Sequence, residues 1–502
     1  MIPIEEVNVQ AKKKSANLPE LTLIARLKNR FLAWSQTVTY HCFPKIFKEQ
    51  THLAGKYIWA LIFLAFSCLT CYILVNNILQ FYQYNVSTSI RIINESPTPF
   101  PAVAICDVNP FTSQYAQFLV QQKTLDAFGL DIVNLSGTEY ELVVVNKVAK
   151  IVKSFAANSG FGDENRKRLG ADLINSVRPC FFNDILCDNV NDFRWFYHFN
   201  YGNCLLFNSG VNASGHIVPL KQSPTAGSQY GLRFRVGPLV NSNNYTTVLP
   251  RGLMIYVGNQ SFSPRYDDDF TAAEAGKESN IVIERTFTSQ TPAPYSECDG
   301  RSGSRDPDLS RSLSGSVYRQ VDCVDLCMQQ AVQRRCKCYF TALTPIYNTS
   351  ACLNLTQVEC VGEILLEVHD VSSVLYRECA LKCPLECDMV SYGLKISTLI
   401  FPNEEVYNIL KNDIVRYSHP VDVDISTYDS FRQYFYSINI FYPTATYTYI
   451  AETPQVNTFG LLSSLGGSLG MFLGFSVFSL LEVFELLLSL ASTICKKRVE
   501  AK

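Results

Sequence analysis

Glu482 and Glu485 stand three residues apart inside an apolar run near one end of the chain. A carboxylate within a membrane-length segment is costly, and it faces a protein interior or water. Three apart on a helix, the two share one face. On a continuous helix Ser464, Ser468 and Ser479 join Glu482 in one stripe about 60° wide. A polar stripe ending in carboxylates is the expected lining of a cation path. Ser476 falls off this stripe. A break in the helix near Gly474–Ser476 would return it to the axis, because unwound backbone is tolerated where it lines a water-filled pore. Gly466, Gly467, Gly470 and Gly474 are interleaved with the serines. Their alternative use is plain close packing of helices. Gly466-Gly-Ser-Leu-Gly470 also matches the nucleophile elbow G-x-S-x-G, but that motif needs a soluble strand before it. Inside a membrane span it does no such chemistry. HExxH and phosphate-cradling glycine loops are missing from the sequence, so an enzyme is not the expectation.

These residues require an element that crosses a bilayer. The run from Thr453 to Leu481 is uncharged, and so is the run from Tyr57 to Ile90, whose apolar heart is Tyr57 to Leu79. A bilayer core of roughly 30 Å takes about 20 helical residues, so each run spans once. Lys12, Lys13, Lys14, Arg26, Lys28, Arg30, Lys45, Lys48 and Lys56 precede the first run, and Lys496, Lys497 and Arg498 follow the second. The positive-inside rule then places both termini in the cytoplasm. The first run starts too late and is too long for a signal peptide. The expected layout is a cytoplasmic tail over residues 1–56 with a short helix around Leu21–Ser35. A transmembrane helix follows over 57–79, then an extracellular domain over 80–452. A second transmembrane helix over 453–494 and a cytoplasmic tail over 495–502 complete it. The net charge of −2 gives no sign of nucleic acid as a partner.

Two patterns in the middle agree. Sequons begin at Asn85, Asn94, Asn134, Asn212, Asn244, Asn259, Asn348 and Asn354, all between the spans. That one-sided distribution implies a glycosylated extracellular segment. Of 18 cysteines, Cys42, Cys68, Cys71 and Cys495 lie outside it, and the other 14 lie within. In an oxidising compartment these read as seven disulfides. Zinc ligation is the alternative for Cys336-Lys-Cys338 and the four-residue spacings at 323/327 and 379/383/387, but zinc sites favour CxxC pairs. One cysteine per helical turn suggests two helices laced side by side.

Residues 111–175 read as helical, over Phe111 to Phe128 and Tyr140 to Ala157. Leu232–Val236, Leu253–Val257, Ile281–Phe287, Val390–Ile396 and stretches of Tyr434 to Tyr449 read as strands. The fold class is a membrane protein with two transmembrane helices and a large mixed α+β, disulfide-rich extracellular domain whose sheet draws on distant parts of the chain. Two spans cannot enclose a pore, so a ring of copies must do it. The residues alone point to a homo-oligomeric cation channel.

The chain resembles the degenerin / epithelial sodium channel / acid-sensing ion channel superfamily from about His41 to Glu485. Phe100-Pro-Ala-Val-Ala-Ile-Cys-Asp-Val-Asn-Pro-Phe111 is similar to the family's FPAVTICNxNPF, and Tyr201-Gly-Asn-Cys-Leu-Leu-Phe-Asn208 to its YGNCxxFN. Tyr295-Ser-Glu-Cys298, Cys383-Pro-Leu-Glu-Cys387, Ser391-Tyr392 and the run from Leu465 to Ser476 followed by Leu481-Glu-Val-Phe-Glu485 fit as well.

The resemblance implies a homotrimer, possible heterotrimers, sodium selectivity and amiloride block. It implies a selectivity filter at Gly474, Phe475 and Ser476, with Ser464, Gly467, Ser468, Glu482 and Glu485 lining the pore. It implies the disulfides Cys106–Cys204, Cys180–Cys187, Cys298–Cys387, Cys323–Cys383, Cys327–Cys379, Cys336–Cys360 and Cys338–Cys352. Na+ is the permeant ion, and neither cofactor nor metal site is implied. Two departures stand out. Phe475 takes the middle filter position, where many members have alanine. The family's His-Gly gating motif appears here as His41-Cys42, and glycine permits backbone angles that cysteine resists.

For the stimulus, the resemblance is best to invertebrate sodium channels opened by FMRFamide-like neuropeptides. Exposed aromatics such as Trp195, Phe196 and Tyr197 are where a peptide could dock, although core burial is the commoner fate of such side chains. Proton gating is the alternative, as is a constitutively open or mechanically gated member. The middle segment holds only His198, His216, His369 and His419 as histidine sensors. Asp267, Asp268 and Asp269 are expected to form a solvated loop. An ATP-gated channel would need clustered lysines, and a non-conducting receptor would have no use for carboxylates in a span.

Overall fold

The computed structural model describes residues 23–48, 52–239, 250–260, 264–299, 306–307, 309, 318–343, 349–417 and 426–500. Asn244, Asn348 and His419 lie outside these. The chain divides into two compact units, Met1–Ser87 with Pro454–Lys502, and Thr88–Thr453.

The first unit is helical. An amphipathic helix, Leu23–Thr37, is followed by a short one, Phe43–Phe47, which carries proline in its first turn. The first membrane-length helix runs Leu53–Tyr82. It extends four residues before Tyr57, past Lys56, because a charged residue ends an apolar run without ending backbone hydrogen bonding. Its apolar residues lie all round, the pattern of a helix surrounded by lipid or neighbours. The second apolar run is not one helix. It is Thr458–Leu473, capped by Asn457, whose side chain accepts from Gly460 N, and then Val477–Glu500.

The second unit is built on two sheets. The larger follows the order Val86–Asn94, Thr446–Pro454, Lys277–Ser289, Tyr436–Phe441, Leu232–Val236, Val177–Phe182, Ile185–Leu186, with Asp388–Ile400 also on Lys277–Ser289. Lys277–Ser289 is the spine. It pairs antiparallel with Asp388–Ile400 along all of its length, and parallel with Tyr436–Phe441 and Thr446–Pro454. Alternation along it buries Ser279, Ile281, Ile283 and Arg285 on one face. The smaller sheet is Thr271–Ala273, Leu253–Gly258, Ala102–Asp107, Gly202–Phe207, Phe193–His198. Ala102–Asp107 and Gly202–Phe207 are buried at every residue, as central strands covered on both faces must be. Cys106 and Cys204 face each other in register and are bonded. One apolar core joins the sheets, from Val103 and Ile105 to Ile281, Ile283, Ile438 and Ile440.

Helices flank the sheets. Gln114–Phe128 starts on the Ser113 side chain and ends at left-handed Gly129. Tyr140–Val148 is wound as a π-helix that continues into Ala149–Ala157. Gln320–Cys336 and Val374–Lys382 lie side by side, joined by Cys323–Cys383 and Cys327–Cys379. The other disulfides are Cys180–Cys187, Cys298–Cys387, Cys336–Cys360 and Cys338–Cys352.

Two local expectations are corrected here. Trp195, Phe196 and Tyr197 are half-buried on the edge strand Phe193–His198, and each packs into a different apolar cluster. Period-two alternation sends neighbours to opposite faces, so they form no exposed aromatic patch. The expectation of a solvated loop at Asp267, Asp268 and Asp269 holds for Asp267 and Asp269, which are exposed, but not for Asp268, which is half-buried. Arg265 pairs with Asp267 at 2.8 Å and forks onto Asp325 at 2.8 and 2.9 Å, while Asp268 accepts from Arg265 N.

Candidate functional site

The site is the break in the second membrane segment. Gly474 ends the first half-helix with φ +69°, and its N–H still donates to Gly470 O. Glycine adopts this left-handed angle without a Cβ penalty. Phe475 N reaches back to Leu469 O at 3.2 Å. Ser476 then starts the second half-helix. Its Oγ accepts from Ser479 N at 3.3 Å, and Ser479 Oγ accepts from Ser476 N at 3.1 Å. This reciprocal arrangement is the logic of a capping box, with serine in both positions. Residues 474–476 are thus an ordered interruption with each helix end capped.

The segment before the first membrane helix braces this break. His41 N donates to Leu473 O at 2.9 Å, taking up one carbonyl freed by the interruption. The Tyr40 ring stacks on Phe475, centroids 5.6 Å apart. Thr39 donates twice to Glu482 Oε2, from N and from Oγ1, each at 3.0 Å. Trp34 Nε1 donates to the Glu482 carbonyl at 3.0 Å. Ser479 is buried beneath these contacts, with its Oγ 3.2 Å from Thr39 Oγ1. Cys42 stands at φ 67°, a left-handed angle, at the start of Phe43–Phe47. The chain keeps the geometry that glycine favours and places a cysteine in it.

The other expected pore residues separate into two groups. Ser464 accepts from Asn77 of the first membrane helix at 2.9 Å, and Ser468 Oγ donates to Ser464 O at 2.8 Å. A Cβ on Gly466 or Gly467 would meet nothing within 4 Å, so this face is open within the chain. Glu485 is exposed, whereas Glu482 is partly buried. Because the segment is broken, Ser464 and Ser468 are on one helix and Ser479 and Glu482 on another. The stripe drawn on a continuous helix therefore does not carry through.

The family model described as "Amiloride-sensitive sodium channel" matches residues 34–486. The chain belongs to this sodium channel family. It is 22% identical to the bile acid-sensitive ion channel of Homo sapiens over 470 residues, covering 91% of this chain and 86% of that one. It is 21% identical to acid-sensing ion channel 1 of Gallus gallus over 469 residues, covering 90% and 82%. Degenerin deg-1 of Caenorhabditis elegans is 26% identical over 352 residues, with 68% of this chain matched to 42% of that longer protein. A cryo-EM structure of a proton-activated chloride channel covers 88% of this chain and 97% of that one at 7% identity. Its TM-score of 0.32 is too low to bear on the fold. The protein is accordingly a membrane protein and an ion channel, not an enzyme.

In the large domain of the channel, burial pushes His198 down to about 4, and its Nε2 lies 2.8 Å from Arg265 O. It stays neutral at ordinary pH and is a structural histidine. Burial raises Asp325 despite the guanidinium of Arg265, which Asp325 shares with Asp267. Among the sequon asparagines, Asn85, Asn94, Asn134 and Asn354 are exposed and Asn259 is half-buried. Asn212 is buried; its Oδ1 accepts from Ser214 N and His216 N, and its Nδ2 donates to Asn191.

The sequence reading missed Trp34, Thr39, Tyr40 and Asn77. All four are ordinary tail or span residues whose partners lie hundreds of positions away. It also missed Asp107, although a signal was present: the residue stands where the family motif has asparagine.

Proposed function

We propose that the protein is a ligand-gated, sodium-selective cation channel of the plasma membrane, assembled from three copies with their termini in the cytoplasm. Three second segments wall the pore, with Ser464, Gly467 and Ser468 facing it. The interruption at Gly474, Phe475 and Ser476 is the filter, where backbone carbonyls and the serine hydroxyl stand in for part of the hydration shell of Na+. Glu482 and Glu485 supply negative potential on the cytoplasmic side, and His41 and Cys42 couple the tail to the filter. Amiloride blocks from outside. The observation that carries this reading is the capped break at 474–476, since ordered non-helical backbone inside an apolar span has a use only where it meets water or other protein.

The stimulus is an extracellular neuropeptide of the FMRFamide type. A second reading, opening by acid, is favoured by Asp107, a buried carboxyl that burial pushes up to about 7.

Voltage clamp of cells expressing the chain alone separates these. Peptide-evoked, amiloride-blocked current reversing near the sodium potential supports the first reading, and acid-evoked current without peptide response the second. Unchanged sodium-over-potassium preference in Ser476→Ala would remove the filter assignment. Silence to both stimuli with surface protein present would overturn homomeric gating.

A further inference from the structure

Asp107 closes the strand Ala102–Asp107 and is 5% exposed. Its Oδ1 accepts from Asn109 N at 3.0 Å. Its Oδ2 has no partner among the described residues. An unsatisfied buried carboxylate oxygen is expensive, so it calls for an explanation. The carboxyl lines a partly open cleft. Asn109 and Arg251 line it from the smaller sheet's side, and Gln433, Tyr434 and Tyr436 from the segment that enters the larger sheet. Junctions between two layers that bring apolar walls and a few convergent polar groups together are where small ligands bind.

We propose that this cleft binds a small zwitterion of the amino-acid class, its ammonium donating to Asp107, its carboxylate facing Arg251 and its apolar body lying against Tyr434 and Tyr436. An ammonium is the group that answers a buried carboxylate oxygen with both charge and donors. Arg251 is exposed at the same cleft and disfavours a ligand carrying only positive charge. A planar guanidinium suits a carboxylate. The two tyrosines offer flat amphipathic surface at little entropic cost. Nothing in this depends on which stimulus opens the pore.

The test is calorimetry on the purified full chain in detergent, which needs no current and so stands apart from conduction. The probes are phenylalanine, phenethylamine, which lacks the carboxylate, and 3-phenylpropionate, which lacks the amine. Phenylalanine is expected to bind tightest, phenethylamine about tenfold weaker, and phenylpropionate not measurably. Asp107→Asn, which keeps an acceptor for Asn109 N, is expected to weaken both amines at least tenfold. Arg251→Gln is expected to abolish the advantage of phenylalanine over phenethylamine. Arg251, Tyr434 and Tyr436 are the charged and titratable groups facing Asp107 across the cleft. With Tyr436 held neutral by burial, amine affinity in the native protein should fall about tenfold per pH unit below the titration of Asp107. That pH profile decides the matter should Asp107→Asn fail to fold. Equal binding of phenylalanine by Asp107→Asn, phenylpropionate binding as well as phenethylamine, or no binding of any probe at millimolar concentration would each overturn the assignment.

Discussion

The imidazole of His41 occupies the space that a side chain at Gly474 would need. A Cβ built on Gly474 comes within 2.7 Å of His41 Cδ2 and 2.9 Å of its Nε2. The backbone reinforces this, since Gly474 sits at φ +69° while His41 N bonds Leu473 O one residue earlier. The backbone of the break and the segment before the first membrane helix are thus packed to contact.

Gly474→Ala therefore meets two penalties. The left-handed angle alone costs an alanine roughly 1–2 kcal/mol, and the contact with His41 adds to it. Sodium current per surface channel should drop at least tenfold, read by voltage clamp with surface labelling. His41→Ala in the same chain removes only the steric part, so the double variant should recover some of that current. A double variant as silent as Gly474→Ala would mean that the backbone angle alone is responsible.

Cys42 holds its left-handed angle without the freedom of glycine. Cys42→Gly relieves about 1 kcal/mol of strain and gives back part of it as unfolded-chain entropy. Cys42→Val puts a β-branched residue at an angle it tolerates worst. The thermal stability of the purified channel should rank Gly at or slightly above Cys, with Val clearly below. A Val variant as stable as the native chain would show that this turn relaxes to ordinary angles.

What could be read beforehand followed from local pattern. The strands Leu232–Val236 and Leu253–Gly258 were legible because alternation along them puts one face in the core. The central strands Ala102–Asp107 and Gly202–Phe207, covered on both faces, carry no alternation and were not legible as strands. The pair Cys323/Cys327 with Cys379/Cys383 announced laced helices through its spacing. A break near Gly474–Ser476 was suggested by Ser476 falling off the helical stripe, and the structure breaks the helix there. Contacts across the whole chain were not legible. Nothing local in Thr39 says that it will bond Glu482, 443 positions later. The serine stripe failed for a related reason: helical projection assumes an unbroken axis, and the break it was meant to explain destroys it. Arg265 drawing in Asp267 and Asp325 was likewise invisible, since a run of aspartates reads as solvated until a buried cation is placed beside it.

The two rungs between Gln320–Cys336 and Val374–Lys382 are nested, closing 60 and 52 residues. In the chain-entropy account, closing the first loop contributes roughly 4 kcal/mol. Once one rung is closed, the other adds only the short spacings at each end, about 2.5 kcal/mol. Removing the Cys323–Cys383 pair by serine substitution should thus cost less than half of what removing both rungs costs. Denaturant unfolding of the purified protein checks this. Equal, additive losses would mean that the two rungs act independently and that nesting does not lessen the contribution of either.

Asp107 sets a pH dependence of known sign. Burial raises its carboxyl from the ordinary 3.8 to about 7, with the Asn109 N–H pulling weakly the other way. Below about pH 4 the group is protonated whether the chain is folded or not, and contributes nothing. Between about 4 and 7 the unfolded chain ionises while the folded one holds its proton, so stability falls as pH rises. Above about 7 both are ionised and the loss levels off, at a total on the order of 4 kcal/mol. Asp107→Asn carries no proton to lose. Its melting temperature should lie close to that of the native protein at pH 4 and above it at pH 8, with the gap opening across the interval between. An amine seated on Asp107 favours the ionised form and should narrow that gap at pH 8. Parallel melting curves for native and Asp107→Asn protein from pH 4 to 8 would show that the carboxyl titrates normally and that the cleft is wet enough to solvate it.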